Sequence, residues 1–293
     1  MYLRSIELNV PHAAKAAAFL SGTWGALDAG SAAGSHYIRG TGGLPYLVSL
    51  HEAASASVAS TTFVTNTTTI AAIASRSAAA NIDCVPVECA ELDGGHGILV
   101  TFPDGERFRF LTGCSDAIAT IGHGAPVKLT HVVFNARDAE YSAHLAEDLL
   151  GFTVSDRTAG MVFVRCNISH HSIAFARAGH TSLNHIAFEM EDLDAVMRGI
   201  GRMRDPGFVP AWGPGRHGPG DNVFAYFIAP FGAVVEFSTA VEQVGPGYRT
   251  GTPEDWTWPP NRIDQWGVSN KDVDALQVAE RRFRFATPMG VTA

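Results

Sequence analysis

The stretch LNHIAFEMED at residues 183–192 reads as a strand that leads into a helix, with a histidine where an apolar core residue is expected. The stretch LTHVVFNARD at residues 129–138 repeats it as L-x-H-[VI]-[VA]-F. Each copy is followed by a helical segment and then by Gly-Phe, at residues 151 and 207. Such a repeat indicates that one structural unit occurs more than once. His131 and His185 should therefore occupy equivalent strand positions.

The N-terminal half carries fainter copies of the same unit. LRSIELNV at residues 3–10 aligns with LTHVVFNA and places Ser5 at the histidine position, and a fourth copy begins near STTFVTNTTT at residues 60–69. The ends of the two halves also match, because FPDGERFRFLTG at 102–113 aligns with APFGAVVEFSTA at 229–240. This second alignment sets Arg109 opposite Glu236. The chain thus reads as four similar modules in two halves.

Each module shows one strand, one helix and three short strands. Such a unit cannot bury its apolar face alone, so paired modules must pack together. The pattern predicts an α+β protein of two domains, each built from two βαβββ modules that form a curved, barrel-like mixed sheet. The predicted domains cover residues 1–122 and 127–245, with a Gly- and Pro-rich joint in GHGAPVK at 122–128. Residues 246–293 are predicted to form a C-terminal strap and tail.

Composition excludes several classes of function. The chain has 293 residues and a formal net charge of −8, and it lacks Lys/Arg runs, which argues against a nucleic-acid surface. No apolar run approaches the length of a membrane span, and the N-terminus does not resemble a secretory signal. The four cysteines show no CxxC spacing, which indicates reduced thiols rather than a cysteine metal site. We therefore expect a cytoplasmic protein without a membrane or nucleic-acid partner.

Three side chains suggest a metal site in the second half. His131 and His185 are equivalent through the repeat, and Glu236 lies on the last strand of the fourth module. Two imidazoles and one carboxylate form the facial triad typical of non-haem Fe(II) oxygenases, which leaves positions open for substrate. The first half has Ser5 and Arg109 at matching positions, and a guanidinium would repel a cation. Only the C-terminal domain is thus expected to bind metal.

The segment NVFAYFIAPFGAVVEFST predicts a hairpin beside this triad. Gly232 suits the left-handed position of a three-residue loop formed by residues 230–232. This loop pairs Tyr226 with Glu236, and cross-strand partners share a face of the sheet. A four-residue turn would break the register. The prediction places the Tyr226 hydroxyl next to the metal ligand, although a strand aromatic that only fills the core is the competing interpretation.

Further histidines are suited to acid–base chemistry. His170 and His171 start a predicted strand, where neighbouring residues alternate faces, so at most one should point inward. His217 lies in the loop GPGRHGPGDN, which leads into the Tyr226 strand. Loops of this kind commonly cover a bound ligand. A solvent-exposed loop histidine is the alternative for His217.

Together these residues resemble the vicinal oxygen chelate superfamily, and within it the type I extradiol catechol dioxygenases. The resemblance rests on L-x-H, H-H-x-x-A-F, G-R-H and P-x-G-x-x-x-E-F, and it is strong over residues 127–241. It implies Fe(II), with Mn(II) as the other possibility, on the triad, and a catecholic substrate with O2. Catalytic or substrate-binding roles are implied for four further residues: His171, His217, Tyr226 and, more weakly, Asp221.

Two other functions stay open at this point. One is a glyoxalase-like, metal-dependent isomerase of the same superfamily, although those sites usually need a second carboxylate where this chain has histidine. The other is a non-catalytic protein that binds small molecules. The residues near the site favour an aromatic ligand without fixing which catechol it is. A homo-oligomer is expected, of a size that the sequence does not define.

Overall fold

The N-terminal half forms one sheet from two βαβββ modules. The computed structural model describes residues 1–89, 91–92 and 94–286. The last seven residues of the predicted tail therefore lie outside the described residues. The first module contains β1 (Tyr2–Val10), α1 (Ala13–Ser21), β2 (Leu27–Ala32), β3 (Ser35–Arg39) and β4 (Val48–Glu52). The second contains β5 (Ser57–Val64), α2 (Thr67–Ala79), β6 (Asp83–Glu88), β7 (His96–Thr101) and β8 (Arg107–Thr112).

The C-terminal half repeats this order of elements. Its first module contains β9 (Lys128–Ala136), α3 (Ala139–Leu145) with a π-helical extension (Ala146–Leu150), β10 (Thr153–Arg157), β11 (Met161–Arg165) and β12 (Ile173–Arg177). Its second contains β13 (Ser182–Glu189), α4 (Leu193–Arg204), β14 (Trp212–Arg216), β15 (Val223–Ile228) and β16 (Val234–Thr239). A 3₁₀ turn (Pro253–Asp255), α5 (Val273–Ala279) and β17 (Arg284–Phe285) follow. The four-module prediction is confirmed.

Both sheets are mixed and run in the same strand order. The spatial order of strands is β2-β3-β4-β1-β5-β8-β7-β6 in the first sheet and β10-β11-β12-β9-β13-β16-β15-β14 in the second sheet. In each sheet, the first strands of the two modules pair antiparallel at the centre. Each of these strands also pairs in parallel with the last strand of its own module. Within the described residues the end strands do not pair with each other, so each sheet curls around its concave face without closing into a barrel.

The central strand β9 shows how the sheet separates core from site. Strand neighbours point to opposite faces, and eight of its nine residues are buried. Val132 and Phe134 pack into the main apolar core, whereas His131, Val133 and Asn135 line a cavity on the other face. In β9 the apolar residues on one face pack into the core, and the other face carries polar residues that line the cavity. The alternation therefore fixes which face carries chemistry.

Matching hydrogen bonds fix how the two halves correspond. The Asn9 side chain donates to Ser57 Oγ at 2.9 Å, and Asn135 donates to Ser182 Oγ at 3.0 Å. β-Bulges also recur, at Ala59 in the first half and at Asn184 in the second. Counting along the strands from these pairs aligns three residues of the first sheet with three of the second. They are Ser5 with His131, Ser60 with His185, and Arg109 with Glu236.

Aromatic packing holds the halves together. The Trp24 ring, which is fully buried, stacks on Phe237 with centroids 3.6 Å apart and an interplanar angle of 5°. The guanidinium of Arg202 on α4 donates to the Trp24 carbonyl at 2.7 Å. Buried aromatic pairs contribute stability beyond their apolar area. Among the described residues, no helix combines the length and the apolar character that a membrane crossing requires.

The end of the described chain crosses between the two sheets. The Leu183 amide donates to the Phe283 carbonyl at 2.8 Å, which ties this segment to β13. Directly after Phe283, β17 pairs in parallel with β5 of the first sheet, and the Phe285 and Phe134 ring centroids lie 5.7 Å apart. Residues 283–285, which follow the last strands of both sheets along the chain, therefore connect the two halves.

Glu106, in the turn between β7 and β8, gives a pH-dependent stability. Its side chain is fully buried, and burial, with Asp104 nearby, raises its pKa to about 7. Glu106 in the folded protein therefore keeps its proton up to a pH of about 7, whereas in the unfolded chain it loses the proton above a pKa near 4.5. The free energy of unfolding thus falls as the pH rises from about 4.5 to about 7. We expect Glu106→Gln to raise the free energy of unfolding by about 3 kcal/mol at pH 8, measured by urea denaturation. The gain should vanish at pH 4, and a pH-independent effect would contradict this account.

Candidate metal centre

His131, His185 and Glu236 meet on the concave face of the second sheet. The Nε2 atoms of His131 and His185 lie 3.3 Å apart, and they lie 3.3 and 3.1 Å from Glu236 Oε2. All three side chains are buried, with 5% exposure or less. Within the described residues this is the one cluster of three or more His, Cys, Asp or Glu that could hold a metal ion. The sequence comparison of modules predicted this cluster.

Strand register brings the three ligands together. Ala187 pairs with His131 on one side and with Glu236 on the other, so β13 lies between the two strands that carry them. His185 is two residues before Ala187 on the same face. The bulge at Asn184 adds one residue to β13 opposite β9, and bulges next to sites commonly redirect a side chain. As a result Asn184 and His185 both line the cavity.

Hydrogen bonds and charge prepare the cluster for a cation. Asn184 Oδ1 lies 2.7 Å from His185 Nδ1, so the Nδ1–H donates there and the lone pair of Nε2 faces Glu236. Burial raises the pKa of Glu236, but the two imidazoles overcome this and hold it below its usual range. Burial lowers the pKa of His131 despite Glu236. The cluster is thus one carboxylate with neutral imidazole beside it.

The donor set fits a divalent ion. Glu236 Oε2 is completely buried and forms no hydrogen bond among the described residues, although Asn222 donates to the other oxygen at 3.3 Å. A buried carboxylate oxygen without a partner is costly unless a cation takes that place. Ligands about 2.1 Å from one ion and at right angles lie about 3.0 Å apart, close to the separations found here. The three residues therefore make a metal-binding site.

The corresponding place in the first sheet has the opposite charge pattern. Glu7, the counterpart of Val133, accepts from Ser5 at 2.6 Å and Ser60 at 2.7 Å, and it lies 3.0 Å from Arg109. Burial raises the pKa of Glu7, but Arg109 and Arg4 hold it below its usual range. Residues equivalent to the three metal ligands thus surround an anion. The first sheet replaces a cation site with an internal ion pair.

His171 lines the cavity beside the triad, and His170 lies behind it. The His131 and His171 ring centroids are 4.2 Å apart. Both histidines are buried, because they lie in a bend and β12 begins only at Ile173, so strand alternation does not apply. Burial, together with the neighbouring histidines, lowers the pKa of His171 well below its ordinary value. His171 is therefore a neutral imidazole at neutral pH.

A buried chain of hydrogen bonds sets the tautomer of His171. Asp156 Oδ2 lies 2.8 Å from His170 Nε2 and accepts its proton, and in the tautomer that carries its one ring proton on Nε2, His170 Nδ1 is an acceptor. That atom lies 3.0 Å from His171 Nδ1, so the His171 Nδ1–H donates to it. Tyr248 and the Gly251 amide donate to the same Asp156 carboxylate at 3.1 and 2.6 Å. His171 Nε2 is then left as an unprotonated acceptor.

Tyr226 and His217 form the opposite wall. The hairpin has the predicted three-residue loop, with Gly232 at φ 95°, and Tyr226 pairs with Glu236 as the sequence predicted. The Tyr226 hydroxyl lies 2.9 Å from His217 Nε2. Burial lowers the pKa of His217 to about 3 and, helped by Glu236, raises the pKa of Tyr226 well above its ordinary value. Both groups are neutral hydrogen-bonding partners at neutral pH.

Asp221, for which the family resemblance implies a weak substrate-binding role, is not among the residues that line the cavity. Its carboxylate pairs with Arg216 at 3.1 Å and accepts from Gln265 at 2.7 Å. Gln265 also donates to the His217 carbonyl at 2.6 Å. The segment that contains Gln265 is the predicted strap, and its Trp258 and Ile263 line the cavity. We assign Asp221 to holding the His217 loop against this strap.

Sequence reasoning missed several residues that support the site. Asp156 carries no local signal, because its partner His170 is fourteen residues away and on another segment. Asn184 could be noticed as the neighbour of a ligand, but the bulge that turns it inward is invisible in the alternation pattern. Lys271 lines the cavity from a segment with no repeat counterpart. These contributions come from tertiary contacts rather than from periodicity.

A family model matches part of the second half. Residues 128–237 match the model of the Glyoxalase/Bleomycin resistance protein/Dioxygenase superfamily. Metapyrocatechase 2 of Cupriavidus necator is 28% identical over 125 residues, which is 42% of this chain. That match spans only 39% of the relative's own length.

Solved structures match nearly the whole chain. The Mn(II)-bound glyoxalase from Novosphingobium aromaticivorans has a TM-score of 0.85 and 29% identity, covering 94% of this chain and 93% of that one. The E323L variant of homoprotocatechuate 2,3-dioxygenase from Brevibacterium fuscum has a TM-score of 0.79 and 19% identity, covering 91% and 79% of the two chains. The latter shares the fold. The residues matched by the superfamily model, 128–237, contain all three residues of the triad.

Proposed function

We propose that this protein is an extradiol dioxygenase, which uses O2 to cleave the ring of a catecholic substrate beside its two hydroxyls. The observation that carries the proposal is the buried triad with His171, His217 and Tyr226 around it. Two imidazoles and one carboxylate occupy one face of an ion and leave the other face for a bidentate diol and a gas molecule. The similarity to metapyrocatechase 2 supports the same reaction class.

Fe(II) is the cofactor that we assign to His131, His185 and Glu236, and Mn(II) has overlapping ligand preferences. Bound Fe(II) would supply the positive charge that holds a catecholate and the redox capacity to react with dioxygen. The protein contributes one negative charge through Glu236 and neutral imidazoles. A divalent ion at this place keeps a net positive charge, which favours a catechol that has lost a proton.

The surrounding residues have separate tasks. His171 Nε2 accepts the proton of a substrate hydroxyl, because the Asp156–His170 chain keeps its Nδ1 protonated. A neutral base that lies beside the diol can return that proton later to an oxygen that gains negative charge. Tyr226 and His217, 2.9 Å apart, hydrogen-bond the hydroxyl-bearing edge of the ring. Burial of the whole group excludes bulk water, which strengthens each of these contacts.

An isomerase of the glyoxalase type is the second candidate, and the resemblance to the Mn(II)-bound glyoxalase favours it. Such sites usually need a second carboxylate, and no Asp or Glu joins the three-residue cluster in the described part of the chain. The set of a neutral His171, His217 and Tyr226 around an open face has no evident use in that reaction. We therefore rank the dioxygenase first.

Oxygen consumption separates these functions. The protein is reconstituted with Fe(II) without air, and oxygen uptake is recorded with a panel of catechols while absorbance follows a yellow ring-fission product. We expect uptake and colour in equal stoichiometry with at least one catechol. An isomerase would turn over its substrate without oxygen. A fully iron-loaded protein that consumes no oxygen with any catechol would refute the proposal.

His171→Ala should separate catalysis from metal binding. We expect kcat to fall by about 10²-fold or more, because the general base is lost, while iron content stays that of the unaltered protein. Steady-state oxygen uptake and iron analysis measure the two quantities. Asp156→Asn should lower kcat less, by about 10-fold to 100-fold, since it disturbs only the tautomer. Equal activity of His171→Ala and the surface control His144→Ala would contradict this role.

A further inference from the structure

The cavity at the triad is far larger than one aromatic ring requires. Its volume is about 750 Å³, whereas a cavity of about 150 Å³ is enough to hold benzene. A plain catechol at the metal would leave most of this space to water. Provided that the proposed function holds, the size indicates a substrate whose ring carries a substantial side group.

The wall of this cavity is rich in cations. Four positively charged side chains line it, and the one acidic lining residue in the described chain is Glu280. The four cations are Arg177, Lys271, Arg281 and Arg284. This concentration stands out in a protein with a formal net charge of −8. A cleft lined by one sign of charge raises the local concentration of ligands with the opposite sign.

Lys271 connects this charged region to the site. Its ammonium lies 4.4 Å from the centroid of the Trp212 ring, which in turn stacks on Tyr226 at 5.3 Å and 11°. No hydrogen bond or ion pair within the described residues takes up the Lys271 ammonium, so its three donors are available to a ligand. Surrounding protein lowers its pKa, with Glu280 opposing the shift. An exposed cation at the cavity wall whose donors no side chain takes up can bind an anionic group of a ligand.

Apolar side chains line the same cavity together with the triad and the cations. They include Val133, Met161, Phe163 and Leu276. A ligand that matches this wall has a diol at one end, an apolar body and a negative charge at the other. We propose that the natural substrate is a catechol with an apolar side group that ends in an anion such as a carboxylate, and that Lys271 and the neighbouring arginines bind this anion.

Paired probes test this assignment through binding. The probes are 3-(3,4-dihydroxyphenyl)propionate and its methyl ester, which differ only in the charge. Dissociation constants are measured by anaerobic equilibrium dialysis against the metal-loaded protein, so that no turnover is needed. We expect the acid to bind at least 10-fold tighter than the ester, and 0.5 M NaCl to weaken the acid alone. Lys271→Met should reduce this preference at least fivefold.

A matched substitution controls for the loss of a lysine. Lys15 is exposed on α1 of the other half, and Lys15→Met should leave the ratio of the two constants unchanged. Equal binding of acid and ester, or the same ratio in Lys271→Met and Lys15→Met, would overturn the anion site. Oxygen uptake with these probes is scored separately. A preference for the acid, with no oxygen uptake from these probes or from any catechol of the panel, refutes the dioxygenase and keeps the anion site. Equal binding and equal oxygen uptake with both probes refute the anion site and keep the dioxygenase.

Discussion

Replacement of His185 by alanine is expected to abolish metal retention while the fold stays intact. His185 Nε2 lies 3.1 Å from Glu236 Oε2 and 3.3 Å from His131 Nε2, so its removal leaves two ligands. Loss of residues that only support a ligand already weakens metal affinity by about 10-fold to 100-fold, and loss of a ligand itself should exceed this. Metal analysis after dialysis and circular dichroism measure the two properties, and oxygen uptake should disappear together with the metal.

His180 provides the matched control for this experiment. It is a histidine of the same cavity wall, but it is not part of the triad. His180→Ala should therefore retain metal to the level of the unaltered protein. If His185→Ala and His180→Ala retained the same full metal content after dialysis, the triad would not be the metal site.

Arg109→Met is expected to cause the largest loss of stability, in a part of the molecule that binds no substrate in our proposal. It would leave the Glu7 carboxylate, fully buried, without the cation 3.0 Å away, and it would also remove a partner of Glu91 at 2.8 Å. Breaking one partner of a buried ion pair costs about 3–5 kcal/mol. The free energy of unfolding from urea denaturation should fall by that amount.

Two further variants make this prediction specific. Arg198→Ala removes an exposed pair with Asp194 on α4 and should change stability by less than about 0.5 kcal/mol. The double variant Glu7→Leu/Arg109→Met removes both buried charges and should be more stable than Arg109→Met alone. If Arg109→Met cost no more than Arg198→Ala, the first sheet would not depend on its internal ion pair.

The internal repeat made much of the fold predictable. Aligned histidines predicted which strands start modules, and the alignments within and between the halves predicted four modules that pack in pairs into curved mixed sheets. The hairpin at Gly232 predicted the pairing of Tyr226 with Glu236, because a short loop leaves only one register. These features depend on local sequence and on the two-residue alternation of side chains along a strand, so they can be predicted from the sequence.

Other features of the site depend on contacts that no local pattern carries. His170 was expected on a strand, but it lies in a bend, where it packs inward and binds Asp156. The inward turn of Asn184 depends on a bulge, which appears only when two strands are paired. Lys271 joins the cavity from a segment that the Asp272 amide ties to the Ala211 carbonyl at 2.7 Å. In each case the information lies in the distance between segments far apart in sequence.

The chain segment that crosses between the sheets also has a consequence for the order of biosynthesis. All three triad residues have been translated once Glu236 is made, whereas Leu276, Arg281 and Arg284 of the cavity wall follow only later. Domains generally fold as they emerge, at about 5–20 residues per second. In a nascent protein the histidines and the glutamate are thus translated some seconds before the residues that enclose them. Metal loading can precede enclosure, because the residues that turn a coordination site into a selective chamber are translated after the triad.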